Sequence, residues 1–377
     1  MVHETAYDAA RRSGMSKRDF LRFCLLTTAG LGLKDSAFGD VVKALETKPR
    51  LPVYWINLAA CTCCTESLVK SSHPLISDAV LNLFSLDYIE TLQAAAGYQA
   101  EEIAREGYKK NFGNYVLAVE GSVPTKDGGV YCTIGGRTAI DVLQEAAKGA
   151  KAILSIGSCS SFGCVTVAKP NPTGCKPVHK VITDKPVINL SGCPPIPEVI
   201  TGTLVHLLTF DRLPELDNLN RPKVFYGQRI HDKCYRRAFF DAGMFVEKFD
   251  DEGSRKGWCL YKVGCRGPVT YNACSVVRWN DGTSFPIQSG HPCLGCSEPD
   301  NWDNRPFYSH VAGVALPGGV GANTLGEVIA IGAASATAVH ATASLIKKAI
   351  KKPGVQKPEP SVESGFPPPP VNKDSGE

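Results

Sequence analysis

Continuous apolar runs mark the first two thirds of the chain: Val53–Leu58, Tyr115–Val119, Ala152–Ile156 and Val187–Leu190. None alternates with polar residues, as expected of strands covered on both faces. Helical periodicity fills the intervals. In Thr138–Ala147, for example, Ile140, Leu143 and Ala147 share one face. Buried strands alternating with helices predict an α/β fold, a doubly wound parallel sheet spanning residues 45–220. Such sheets carry their sites just beyond the carboxyl ends of the strands. Here those ends are followed by Cys61–Cys64, Glu120-Gly121-Ser122, Cys159 and Cys193.

The pattern changes twice further on. Over residues 221–323 the apolar runs fade, and Gly, Pro, Asn and Asp interrupt the chain every few residues while candidate metal ligands accumulate. This predicts a small irregular domain in which bound cofactors replace part of a core. Val328–Ile346 is then a run of Val, Ile, Leu, Ala, Gly, Ser and Thr broken only by His340 and closed by Lys347, Lys348, Lys351 and Lys352. Its length predicts a C-terminal helix over 324–352 that anchors in a membrane or docks on a partner, with the lysines on the cytoplasmic side. The Pro-rich remainder, 353–377, is predicted to be disordered.

The N-terminus refines the compartment. Lys17-Arg18, Phe20-Leu21-Arg22 and a short apolar stretch from Phe23 to Leu33 resemble a twin-arginine export signal, with Lys17 in the place of the first arginine. Val42-Lys43-Ala44 fits a cleavage site, so residues 1–44 are expected to be the signal. That route moves folded, cofactor-loaded proteins, which predicts a location on the periplasmic side of the cytoplasmic membrane.

Charge and composition mostly exclude. The net charge is +4 with scattered basic residues, which offers no footprint for nucleic acid. No GxxxxGK[ST], GxGxxG or HExxH motif occurs. The cysteines are the anomaly: there are 15, and all but Cys24 lie between Cys61 and Cys296. Three of them fall within Cys61-Thr62-Cys63-Cys64, a spacing that suits a shared metal or cluster better than mutual disulfides. A disulfide framework in an exported binding protein is the competing expectation. His231-x-x-Cys234 with Cys259 and Cys265 supplies one imidazole and three thiolates, which serves either an iron–sulfur cluster or tetrahedral zinc. Cys274, Cys293 and Cys296 form a three-thiolate set. Pro286 stands where a fourth ligand could have come and can ligate nothing.

Longer motifs then point to a family. CTCCTES, VEGSVP around Glu120, GGRTAID around Arg137, SIGSCSSFGC, KPNPTG, LSGCPP and GHPCLGCSEPDNWD resemble the small, electron-transferring subunit of nickel–iron hydrogenases. The resemblance covers nearly the whole chain. It implies a flavodoxin-like sheet domain, then an irregular iron–sulfur domain and a C-terminal helix. It also implies a nickel–iron large subunit as partner, in a heterodimer or a higher oligomer, and a membrane cytochrome b with quinone as acceptor. Cys61, Cys64, Cys159 and Cys193 are implied to hold a proximal [4Fe–4S] cluster. Cys274, Cys293 and Cys296 are implied to hold a medial [3Fe–4S] cluster. His231, Cys234, Cys259 and Cys265 are implied to hold a distal [4Fe–4S] cluster. Cys63 and Cys164 occupy positions that are usually glycine, which resembles the oxygen-tolerant branch with a proximal [4Fe–3S] cluster. In that branch Glu120 is implied to be a proton or iron partner of the cluster. His340 is implied to contact haem. An iron–sulfur subunit of another redox complex stays open as an alternative.

Overall fold

The computed structural model describes residues 4–30, 34–72, 74–299, 301–303, 306–309 and 322–350. Five strands form the main sheet: β1 (Leu51–Asn57), β2 (Phe84–Ile89), β3 (Tyr115–Glu120), β4 (Ala150–Ile156) and β5 (Val187–Leu190). All pair in parallel, in the order β2–β1–β3–β4–β5. That is the strand order of flavodoxin-like sheets, whose crevice lies at the carboxyl ends where the order reverses. Four of the strands coincide with the apolar runs. β2 does not stand out in sequence: it lies at the sheet edge, and Ser85 and Asp87 interrupt its apolar residues.

Strand periodicity divides the interior into two layers. Val53, Trp55, Val116, Ala118, Leu154, Ile156, Ile188 and Leu190 face one core. Tyr54, Ile56, Tyr115, Leu117, Val119, Ile153 and Val187 face the other. Helices cover both. α1 (Ala6–Arg12), α2 (Lys17–Gly30) and α3 (Phe38–Thr47) precede the sheet, and α4 (Cys63–Val69), α5 (Gly97–Lys110), α6 (Ala139–Lys148), α7 (Gly157–Phe162) and α8 (Pro197–Phe210) are interleaved with its strands. α6 begins where the pattern places it, because Thr138 Oγ1 accepts the Asp141 N–H as an N-cap.

The chain divides into two compact units, residues 1–311 and 312–377. The expected boundary at 220/221 therefore falls inside the first unit. Phe225, Tyr226, Leu260, Val263 and Phe285 share the core of Trp55 and Leu154. The segment expected to be an export signal belongs to this body too: Phe20, Cys24, Val41 and Leu45 are fully buried in that core. The expected cleavage point between Ala44 and Leu45 lies within α3, so a protease would first have to unfold that helix.

The second unit contains one described helix, α9 (Ala322–Ile350), exposed throughout 331–347 with His340 among those residues. Among the described residues no helix is long and apolar enough to cross a membrane. The expected C-terminal helix is present, and Ala, Gly, Ser and Thr dilute its apolar residues. The tail beyond residue 350 lies outside the described residues.

Candidate functional site

Parallel registration brings four strand ends into a row: Asn57 pairs with Glu120, Glu120 with Ile156, and Ile156 with Leu190. The chain turns immediately after each. Gly121 has φ +91°, and a Cβ there would collide with the Ala59 backbone. Gly157 has φ +83°, and a Cβ there would overlap Cys64 Sγ. This missing Cβ leaves room for the sulfur. Thr62, at φ 64°, swings the chain into α4, so Cys63 and Cys64 open that helix rather than preceding it.

The turns gather the six cysteines of the first set. Cys63 is hydrogen-bonded with Cys61 and lies within electrostatic reach of Cys193. Cys64 feels Glu120, Cys193, Cys61 and Cys63. Cys164 interacts with Cys159 and Cys193. Glu120 is buried under this set. Its Oε2 accepts from Trp55 Nε1 (3.2 Å), Asn57 Nδ2 (3.1 Å), Thr65 N (3.1 Å) and Thr65 Oγ1 (2.6 Å), and its Oε1 accepts from Cys64 N (3.0 Å).

The other sets lie in the irregular segment. Cys234, Cys259 and Cys265 interact with one another, and buried Arg236 opposes their negative charge. Arg236 is fixed by the Trp258 carbonyl at 2.7 Å. His231 is buried in the turn before Cys234, edge-on to Phe240. Burial, followed by the Arg237 charge, lowers its pKa and favours the neutral imidazole that a metal requires. Cys274, Cys293 and Cys296 form the third group. Cys274 Sγ donates to Asn272 Oδ1 (3.0 Å), and the Gly295 N–H donates to Cys293 Sγ (3.4 Å).

The three sets form a series. Cys296 interacts with Cys193 of the first set, and the Cys293 N–H donates to Cys265 Sγ of the second at 3.4 Å. Cross-ties hold the series to the sheet: Ser158 Oγ donates to the Cys296 carbonyl, and Ser191 Oγ donates to the Ser297 carbonyl at 2.8 Å. Buried Arg221 reaches both the Ser297 carbonyl and Glu298.

All fifteen cysteines are free, so no disulfide framework supports the fold. Burial pushes the Cys274 thiol up to about 12 and Cys296 up to about 11. Hydrogen bonding to Cys61, followed by burial, pushes Cys63 up to about 11. So many thiols in one body repel as thiolates unless cations lie among them, which suits multi-iron cages. Among the described residues no three His, Cys, Asp or Glu converge on a single metal ion. A cluster makes a different demand, because its irons occupy separate corners and its cysteines surround a volume. The free thiols and the space at Gly157 fit that group.

Sequence spacing did not reveal three groups: Arg236, Asn301 and Trp302. The last two reach back to the first set from more than a hundred residues away. Trp302 Nε1 donates to Cys164 Sγ at 2.7 Å.

Glu90, just past β2, lies beside this crevice. Burial raises its carboxyl to about 7, the Asn57 backbone N–H partly offsets this and Glu101 adds to it, while Oε1 is buried without a partner. Its folded pKa lies above the ordinary 4.5, so the native chain holds the proton more tightly than the unfolded chain. The resulting stabilisation is fully present below about pH 4.5 and is lost as pH rises through about 7. Glu90→Gln is expected to flatten thermal stability across that window and to raise it above pH 7. Melts of parent and variant complexes at several pH values check this, and an unchanged slope contradicts it.

A family profile for the C-terminal region of the NiFe/NiFeSe hydrogenase small subunit matches residues 226–308. One described as "NADH ubiquinone oxidoreductase, 20 Kd subunit" matches residues 61–207. The uptake hydrogenase small subunit of Cupriavidus necator is 57% identical over 350 residues, covering 93% of this chain and 97% of that protein. The chain belongs to the nickel–iron hydrogenase small-subunit family. The hydrogenase-1 small chain of Escherichia coli is 54% identical over 349 residues, 91% of this chain and 92% of that protein. In a reduced, active nickel–iron–selenium hydrogenase from Desulfomicrobium baculatum, one chain is 35% identical with a TM-score of 0.66, covering 70% of this chain and all of that one. As a hydrogenase small subunit, the protein pairs with a nickel–iron large subunit, carries iron–sulfur clusters and transfers electrons.

Proposed function

We propose that this subunit relays electrons from hydrogen oxidation, in three stages held by three ligand sets. Cys61, Cys63, Cys64, Cys159, Cys164 and Cys193 hold a proximal [4Fe–3S] cluster. Cys274, Cys293 and Cys296 hold a medial [3Fe–4S] cluster. His231, Cys234, Cys259 and Cys265 hold a distal [4Fe–4S] cluster. When bound, these groups supply reversible one-electron carriage. The observation that carries the proposal is the unbroken series of the sets, with Cys193 beside Cys296 and Cys293 bonded to Cys265 Sγ.

The chain's own residues divide the remaining work. Strand-end turns fix the first thiolates, Arg236 offsets charge at the distal set, and neutral His231 replaces a thiolate there. Fewer thiolates raise a cluster's potential, which suits a set from which electrons leave. The acceptor is a membrane cytochrome b that passes electrons to quinone, on the periplasmic side of the membrane. The N-terminal segment directs export, and α9 with exposed His340 docks on the cytochrome. Cys63 and Cys164 make the proximal site oxygen-tolerant.

Metal analysis of the purified complex, with EPR during a redox titration, tests the relay. The expected result is roughly eleven irons in this chain, from clusters of four, three and four, and a proximal signal that oxidises in two steps. An iron content matching a single cluster, or a single-step proximal signal, contradicts the assignment.

A further inference from the structure

Cys164 occupies an unusual backbone position. Its φ is 47°, in the left-handed region that disfavours side chains, and it follows Gly163 at φ 92°. Such strain persists in a non-glycine residue where the surroundings over-determine it, and it gathers at functional positions. The surroundings here are one short stretch, residues 301–303. Trp302 Nε1 donates to Cys164 Sγ at 2.7 Å. Cys164 Sγ in turn faces Asn301 Oδ1 at 3.9 Å, and Asn301 is buried. The Lys169 N–H donates to both Asp303 oxygens, at 3.3 and 3.1 Å. Three consecutive side chains thus close over Cys164–Lys169. The stretch is itself tied down, because buried Arg266 donates to the Asn301 carbonyl at 2.8 Å. The Trp302 ring packs edge-on to Phe307 with centroids 5.2 Å apart.

An indole offers one donor and no acceptor. Aimed at a sulfur, it can only draw electron density from that sulfur, and hydrogen bonds to cluster sulfurs are among the controls on potential. We propose that Trp302 is a positioning residue for the Cys164 sulfur: its N–H fixes that sulfur's direction and tempers the charge the extra thiolate adds to the first set. Added thiolates favour the oxidised cluster. The indole limits that bias, and the oxidation steps stay within reach of the neighbouring sets. The inference rests on Cys164 being a ligand of the proximal set.

The test compares three forms of the intact heterodimer with the parent: Trp302→Phe, Cys164→Gly, and a form in which residue 302 is benzothienylalanine. The last keeps the bicyclic shape and loses only the N–H. Each is titrated under EPR with iron counted in parallel. The expected result is that both forms altered at residue 302 keep the parent iron count and move the proximal oxidation steps to lower potential. The medial and distal signals stay in place. If the benzothienyl form titrates like the parent while Cys164→Gly does not, the role of Trp302 is overturned and Cys164 remains a ligand. If Cys164→Gly also titrates like the parent, both the inference and the ligand assignment fall. Should Trp302→Phe lose iron through misfolding, the benzothienyl form decides.

Discussion

Replacing Cys63 and Cys164 together by glycine is expected to leave hydrogen oxidation without oxygen within about twofold of the parent, a barrier change under about half a kcal/mol, while abolishing sustained turnover in air. The backbone makes this substitution gentle. Cys164 sits at φ 47°, where glycine is the residue with no steric penalty, so the change relieves strain of about 1 kcal/mol. Cys63 is half-exposed at the first position of α4, where removing a small side chain leaves no deep cavity. Cys164 is buried, so its loss also removes some packing, and the relieved strain offsets part of that cost. On the proposed assignment Cys61, Cys64, Cys159 and Cys193 would suffice for an ordinary four-iron cluster, which is why the anaerobic rate is expected to survive. On the same assignment the two extra thiolates would stabilise the more oxidised cluster and permit a second oxidation, which would return electrons quickly to oxygen at the large subunit. Chronoamperometry on an electrode, first under hydrogen alone and then with oxygen injected, separates the two properties. Equal decay of parent and double variant in air would sink the assignment.

Much of this arrangement was legible in the sequence because the relevant patterns are local. The runs at 53–58, 115–119, 152–156 and 187–190 are buried on both faces, so they read as strands without tertiary information. The candidate ligands sit directly after strand ends or in short motifs, and parallel registration then brings the first set together. What escaped depends on contacts distant along the chain. β2 is an edge strand whose Ser85 and Asp87 break the continuous apolar run that marks the other four, leaving only a short alternation. The irregular segment shares its core with the sheet through Phe225, Tyr226 and Leu260, so a fall in periodicity marked a change of architecture rather than a separate body. Trp302 meets Cys164 across 138 residues, and no spacing rule announces such a bond. The packing of Phe20 and Cys24 into the same core likewise follows from helix docking and not from the signal-like pattern that identified the segment.

Glu120→Ala is expected to prevent the complex from accumulating, with Glu120→Gln intermediate, because this carboxylate is an acceptor on which five donors converge. Trp55 Nε1, Asn57 Nδ2, Thr65 N, Thr65 Oγ1 and Cys64 N all point at its two oxygens. Hydrogen bonds to a charged group contribute roughly 1.5–3 kcal/mol each, and a buried donor left without a partner costs about 1–3 kcal/mol. The contributions do not add simply, yet a loss of about 3–5 kcal/mol or more is the right order for removing a charged partner from a buried network. That is a large part of a typical folding free energy of about 5–15 kcal/mol. Glutamine keeps one acceptor oxygen but turns an N–H₂ toward N–H donors, so its cost lies between. A proton or iron partner role makes a different forecast. On that account both variants would fold, carry full iron and fail only in the second oxidation of the proximal set. Yield, iron content and redox-titrated EPR of the two variants therefore separate the roles. The five converging donors favour stability as the dominant effect, and full-yield, fully loaded Glu120→Ala would refute it.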